Sequence, residues 1–164
     1  MIRKAARDDA PRIAEIHVFG WRAAYRGIVP DEILFNRLSV VKRAPSIADA
    51  LEADEETYVY EDGFVRGWMT IGDCRDEDAK DDFELWGIYV DPLLKRSGVG
   101  RALVGFCEDQ ARARGKRRIK LWVFKDNAPS RSFYEAMGFS TDGKEQLIEK
   151  LGAIEIRYQK YLTN

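Results

Sequence analysis

Apolar residues recur along the chain with two periods, and each period predicts a different element. Ile13, Ile16, His17, Gly20, Trp21 and Ala24 share one face at spacings of three and four, which predicts an amphipathic helix to about Tyr25. Asp8 is placed to cap it, Pro11 suits its first turn, and residues 2–5 before it read as a short strand. Gly27 and Pro30 mark a turn into a second helical stretch, and Ser39 predicts the cap of a third that ends at Leu51. Period-two runs follow: Thr57–Glu61 and residues 64–72 predict a hairpin about Asp62-Gly63. Phe83–Val90 is a strand of large apolar residues, and Arg118–Phe124 is another, with Leu121 and Val123 facing opposite to Trp122 and Phe124. Between them lies the longest helix, striped by Val99, Leu103, Phe106, Cys107, Gln110 and Ala111 and closed at Gly115. Ser130 predicts the cap of a short helix to Met137, and two strands end the chain near residues 139–143 and Ala153–Tyr161. The order predicts one α/β domain over residues 1–164, without repeats or linkers.

Composition narrows the class. With 164 residues, 45% hydrophobic and 34% charged, the chain can bury one sizeable core. No apolar run nears the ~20 residues of a membrane span and no leader follows Met1, so a cytoplasmic protein with no membrane partner is expected. Cys74 and Cys107 make no disulfide framework, and with one His in the chain no metal site is expected. Cys107 lies on the helix stripe and reads as a buried small hydrophobe. A net charge of −1 excludes a globally basic nucleic-acid binder. The local cluster of Arg112, Arg114, Lys116, Arg117, Arg118 and Lys120 reads as a solvated helix end rather than a nucleic-acid contact, since no aromatic residues interleave with it. The acidic segment GDCRDEDAKDD reads as a solvated loop, or as a rim that attracts a cationic acceptor.

Candidate chemistry concentrates in residues 84–115, where a strand breaks at Asp91-Pro92, passes a basic glycine-containing loop and enters the longest helix. Gly98 and Gly100 bare the unpaired amides of a first helical turn, and Lys95, Arg96 and Arg101 add full positive charge, so the segment suits a phosphate ligand. Arg101-Ala102 stands where a P-loop needs Lys-Ser/Thr; Leu103 and Lys120 stand where a dinucleotide fingerprint needs a small residue and an acid.

VDPLLKRSGVGRALV resembles the acyl-CoA loop of the GNAT superfamily of N-acetyltransferases, with Lys95 in the place of a Gln or Arg and with Gly98 and Gly100 matching. NAPSRSFYEAMGF, from Asn127 to Phe139, is similar to that family's later Asn-x-x-Ala/Ser-x-x-Phe-Tyr-x-x-x-Gly-Phe segment. WRAAYRGIVPDEIL is similar to the N-terminal segment of one branch. The resemblance implies a mixed, mostly antiparallel sheet of about six or seven strands flanked by about four helices. It also implies acetyl transfer from acetyl-CoA to a primary amine, first of all a small molecule's. The alternatives are a protein N-terminus or lysine as acceptor, and a CoA-binding regulatory module without turnover; a homodimer is admitted as well.

The resemblance implies roles residue by residue. Lys95, Arg96, Ser97, Gly98, Val99, Gly100 and Arg101 would hold the pyrophosphate, and the backbone of Ile88, Tyr89 and Val90 would meet the pantetheine arm and thioester. Tyr134 matches a tyrosine beside the CoA sulfur, a proton donor to the thiolate, against plain packing with Phe133. Asn127 matches a donor-contacting asparagine, or merely caps a strand end. A primary amine titrates near ~10 and arrives protonated, so a base is needed. Glu84 takes the place of a general-base glutamate on the strand side of Trp86, Ile88 and Val90, where apolar neighbours would favour its neutral form; an exposed glutamate with water as base is the alternative. Trp21 and Tyr25 are acceptor-pocket candidates or helix-packing aromatics, and His17 is structural or lines that pocket.

Overall fold

The computed structural model describes residues 1–163. Strands β1 (Ile2–Lys4), β2 (Thr57–Glu61), β3 (Val65–Asp73), β4 (Phe83–Val90), β5 (Arg118–Phe124), β6 (Ser140–Ile148) and β7 (Ala153–Tyr161) form one sheet in the order β1-β2-β3-β4-β5-β7-β6. The helices are α1 (Ala10–Ala24), α2 (Val40–Glu52), α3 (Val99–Ala113) and α4 (Ala128–Ala136). β4 and β5 run parallel, with Phe83 opposite Ile119 and Glu84 opposite Lys120, and α3 supplies the crossover that parallel strands require. The pairs β1–β2, β2–β3, β5–β7 and β6–β7 are antiparallel, so the expected mixed, mostly antiparallel sheet is present.

The chain divides into two compact units, Met1–Thr70 with Ile88–Leu103, and Ile71–Gly87 with Val104–Asn164. In the first unit the apolar face of α1 buries Ile13, Ala14 and Ile16 in one cluster with Ile47 and Ala48 of α2, Val59 of β2, and Val65 and Trp68 of β3. Each fully buried isoleucine or valine of this cluster contributes about 1.5–3 kcal/mol. The entry to α1 differs from the sequence reading. A 3-10 turn spans Arg7–Asp9, and Asp9 rather than Asp8 is the engaged carboxylate, accepting from the Ala6 N–H at 2.8 Å and from Arg3 at 2.7 and 2.9 Å. The second helical stretch is a π-helical segment, Glu32–Arg37, whose carbonyl end Arg22 satisfies by donating to Leu34 O at 2.9 Å and Leu38 O at 3.1 Å. Ser39 caps α2 as predicted, its Oγ accepting from the Lys42 N–H.

In the second unit Phe83, Leu85, Ile119, Leu121, Val123, Ile156 and Tyr158 are buried. The alternate positions carry charge. Lys120, read from sequence as part of a solvated cluster, is buried and donates to Asp142 at 2.7 Å and Gln159 at 2.8 Å. Arg157, also buried, donates to Asp142, Asp76 and Asp78 at 2.7–3.0 Å. Burial drives ions into pairs, and these pairs pin the acidic segment onto β7, so Asp76 and Asp78 are not a free acidic rim. β6 continues past the predicted 143 to Ile148; its side chains are largely exposed, so no period-two apolar pattern marks them.

Candidate functional site

Two parts of the site lie in the first unit. The loop between β4 and α3 starts with a 3-10 turn, Pro92–Leu94, capped by Asp91, whose Oδ1 accepts from the Leu93 N–H at 2.9 Å. Arg12 holds the same carboxylate at 2.6 Å. Next, Arg96 (φ 63) and Gly98 (φ 82) both take the left-handed conformation. An alternation of this kind turns successive amides toward one side, a concavity that suits an anion. Lys95, Arg96, Ser97, Gly98 and Arg101 are exposed, Gly100 is half-buried, and a Cβ at Gly98 would meet no atom within 4 Å. Val99 alone of the loop faces inward, 2% exposed, and anchors the start of α3. The first intrahelical amide is that of Ala102, which donates to Gly98 O at 3.0 Å, so the amides before it keep their donors for a ligand. Gly67, a residue the sequence reading passed over, makes this geometry possible: a Cβ there would lie 2.9 Å from Val99 Cγ1 and 3.0 Å from Tyr89 O.

The second part is a ring cluster. His17 stacks on Trp21 (centroids 5.3 Å apart) and Trp68 (5.9 Å), Tyr89 lies 5.1 Å from His17 and 4.9 Å from Trp68, and Tyr25 meets Trp21 edge-on at 5.1 Å. The Trp21 Nε1–H donates to the Tyr89 hydroxyl at 3.2 Å. The expected acceptor residues Trp21 and Tyr25 thus share a cluster with Tyr89, and Ile88, Tyr89 and Val90 are all half-buried at the end of β4. Burial, reinforced by the charge of Arg43, pushes the His17 imidazole down to about 3, so it is neutral at physiological pH. Trp68 escaped the sequence reading because its run, Val65–Asp73, is buried almost throughout, so no alternation of apolar and polar residues marks which side chain faces His17.

The remaining candidates belong to the second unit. Glu84 is buried, but its company is not the apolar set that strand alternation implied. The segment after β3 turns back, with the Cys74 N–H donating to Asp82 O at 3.1 Å. This brings Arg75 onto the Glu84 carboxylate through Nη2 at 2.6 Å, Nε at 3.2 Å and its own main-chain N–H at 2.9 Å. Asn127 caps α4: Oδ1 accepts from the Ser130 N–H at 3.4 Å and Nδ2 donates to Ser130 Oγ at 2.9 Å, so Asn127 holds the cap that the sequence assigned to Ser130. Tyr134, on α4, is buried between Phe133 (5.4 Å) and Phe139 (6.0 Å), and it is Tyr134 rather than Phe133 that is the more enclosed of the pair. Burial, with the neighbouring Glu108 adding to it, pushes the Cys107 thiol up to about 12, which suits a buried hydrophobe rather than a nucleophile. Among the described residues no group of three or more His, Cys, Asp or Glu is arranged to hold a metal ion, and no helix is long and apolar enough to cross a membrane.

Comparison with known proteins agrees with the loop. The sequence is 31% identical over 140 residues to the uncharacterized N-acetyltransferase YuaI of Bacillus subtilis, a match covering 82% of this chain and 77% of that one. It is 35% identical over 79 residues to the ribosomal protein bS18-alanine N-acetyltransferase of Escherichia coli, covering 42% of this chain and 53% of the relative. The fold matches that of yncA from Salmonella typhimurium, solved with its cofactor acetyl-CoA, with a TM-score of 0.71 and 23% identity over 100% of this chain and 94% of that one. The model of the acetyltransferase (GNAT) family matches residues 30–139. The glycine loop and the Asn127–Phe139 segment both lie inside that match, and the chain belongs to the GNAT family of acetyltransferases.

Proposed function

We propose that this protein transfers the acetyl group of acetyl-CoA to a primary amine, first of all that of a small molecule, by direct attack with both substrates bound. The observation that carries the reading is the exposed loop of residues 95–98, with left-handed Arg96 and Gly98 ahead of the open first turn of α3. Free amides, a helix N-terminus and three cations suit a pyrophosphate, and the space around Gly98 fits its approach. When bound, acetyl-CoA supplies an activated acetyl thioester with a thiolate leaving group.

This chain's own residues supply the rest. The amides of residues 97–101 grip the phosphates, with Lys95, Arg96 and Arg101 offsetting their charge. The backbone of Ile88, Tyr89 and Val90 pairs with the pantetheine arm as an added strand would, and the Ile88 N–H polarises the thioester carbonyl. Loss of such a donor costs about 10²–10³ in rate. Glu84 takes a proton from the acceptor's ammonium at a carboxylate oxygen; as the freed amine forms the C–N bond and the C–S bond breaks, the Tyr134 hydroxyl protonates the departing sulfur and regains its proton from the attacking nitrogen, which becomes the amide. Asn127 contributes through the helix start that it caps, and Trp21 and Tyr25 line the acceptor side. A peptide acceptor is the second reading, favoured by similarity to an enzyme named for the alanine of ribosomal protein bS18.

Thiol release from acetyl-CoA over a panel of amines and peptides tests the proposal. We expect at least one acceptor to be turned over, and Tyr134→Phe to lower kcat by about 10²-fold while CoA binding stays unchanged. CoA binding with no turnover on any amine would instead identify a regulatory module.

A further inference from the structure

Glu84 and its counter-charge are buried very unequally. The Glu84 side chain is 2% exposed, while that of Arg75 is 56% exposed and projects from the irregular segment after β3. Elsewhere in the same unit a buried ion pair is enclosed on both sides: Arg157 is 6% exposed and its partner Asp142 12%. Arg75 covers Glu84 from the solvent side. Its guanidinium donates to Oε1 at 2.6 Å and Oε2 at 3.2 Å, and its Cζ sits 4.5 Å from the centroid of the Trp86 ring. That ring is partly exposed, and Trp86 Nε1–H donates to Asp73 O at 3.3 Å. A carboxylate below and an aromatic face beside it is the pair of contacts by which proteins recognise organic cations. A second acid is close: the Glu155 carboxyl is pushed up chiefly by burial, with Glu84 and Asp76 adding to the rise and with Gln146 and Arg75 opposing it.

We propose that Glu84 and the Trp86 ring form a subsite for an organic cation, that Arg75 fills it from within the chain, and that the acceptor's cationic nitrogen displaces Arg75 on binding. The cation site stands on the geometry alone; its assignment to the acceptor rests on the acetyltransferase reading above. The displaced guanidinium has solvent to move into, because more than half of its side chain is already there. The main-chain N–H of Arg75, 2.9 Å from Oε2, stays behind to hold the carboxylate in place. The acceptor class follows from the charges left around the subsite. With the Glu84 carboxylate as the recognising group, an α-amino acid would bring its own carboxylate against like charge, whereas an alkyl diamine or a lysine side chain would not.

Methylguanidinium and methylammonium are the probes, titrated into the wild type, Arg75→Gln and the double variant Arg75→Gln/Glu84→Gln, with the Trp86 indole resonance as the readout. Arg75→Gln is expected to bind methylguanidinium about tenfold tighter than the wild type, and the double variant to lose the site. Equal affinity in the wild type and Arg75→Gln, or binding retained in the double variant, overturns the proposal. If Arg75→Gln fails to fold, the wild type decides: a saturable Trp86 shift absent from Glu84→Gln supports the subsite, and no shift, or the same shift in Glu84→Gln, refutes it. CoA affinity is measured on the same samples, so a failure of the acetyltransferase reading is seen separately. With acetyl-CoA present, 1,5-diaminopentane and a blocked lysine peptide are expected to exceed glycine by at least about tenfold in kcat/KM, the two arms separating a free amine from a peptide. A preference for glycine contradicts the acceptor class.

Discussion

Each compact unit buries a polar cluster, and the two clusters solve the problem by opposite chemistry. In the first unit His17, Trp21, Trp68 and Tyr89 gather as rings, and among the described residues His17 Nδ1 and Trp68 Nε1 have no hydrogen-bond partner. In the second, Arg157 and Lys120 are buried as full charges, each answered by at least one carboxylate. Neutral rings are cheap to bury, but among the described residues no carboxylate stands ready to answer a proton on His17; an ion network accepts charge but no missing member. The first cluster is therefore vulnerable to protonation, and the second to deletion.

Deletion gives the larger effect. Arg157→Leu removes the partner of Asp76, Asp78 and Asp142 at once and is expected to cost about 3 kcal/mol in urea unfolding, with the second unit losing hydrogen-exchange protection first. A cost below about 1 kcal/mol would mean that the acidic segment is held by something else.

Acid separates the clusters more finely. The unfolded chain protonates His17 near pH 6.5, while the folded chain refuses the proton down to about 3. Stability from this group is complete above about pH 6.5 and falls by about 1.4 kcal/mol per unit below it, or about 2 kcal/mol by pH 5. His17→Phe keeps a ring and is expected to flatten the curve over that window. The ion network signals lower on the scale. Burial alone would raise Asp142, but Lys120, the Lys144 main chain and Arg157 together hold it below the ordinary range; Arg157 and then Lys144 hold Asp78 below it too. Both carboxylates bind protons less readily folded than unfolded, so their contribution is complete above about pH 4 and is lost only in stronger acid. A single loss of stability starting below pH 4, unchanged in His17→Phe, would refute the distinction.

The same contrast explains what could be read from the chain. β4, the loop and α3 were legible because their signals are local: a run of apolar residues, a break at Asp91-Pro92, and glycines ahead of a helical stripe. The α4 segment was legible as a motif, although the cap fell to Asn127 instead of Ser130, since both residue types cap equally well on paper. The charged face of the second unit was not legible. Lys120 sits among five other basic residues, and only its pairing across the sheet to Asp142 on β6 reveals that it is buried. Arg75 lies within an acidic stretch and reads as a solvated charge until the loop closure at Cys74 brings it onto Glu84. Such partners are distant in sequence, and no periodicity encodes them. Gly67 is a similar case, a glycine inside a strand whose reason is the close approach of Val99 and Tyr89.

The central claim is that bare amides ahead of α3 hold the phosphates of CoA, and calorimetric titration of CoA into the wild type and Gly98→Val tests it most directly. A valine there places a branched side chain at φ 82, in the space the phosphates would use. The account predicts saturable binding to the wild type, weakened at least about tenfold in a Gly98→Val protein that remains folded by circular dichroism. No binding of CoA to the wild type, or the same affinity in the folded variant, would contradict it.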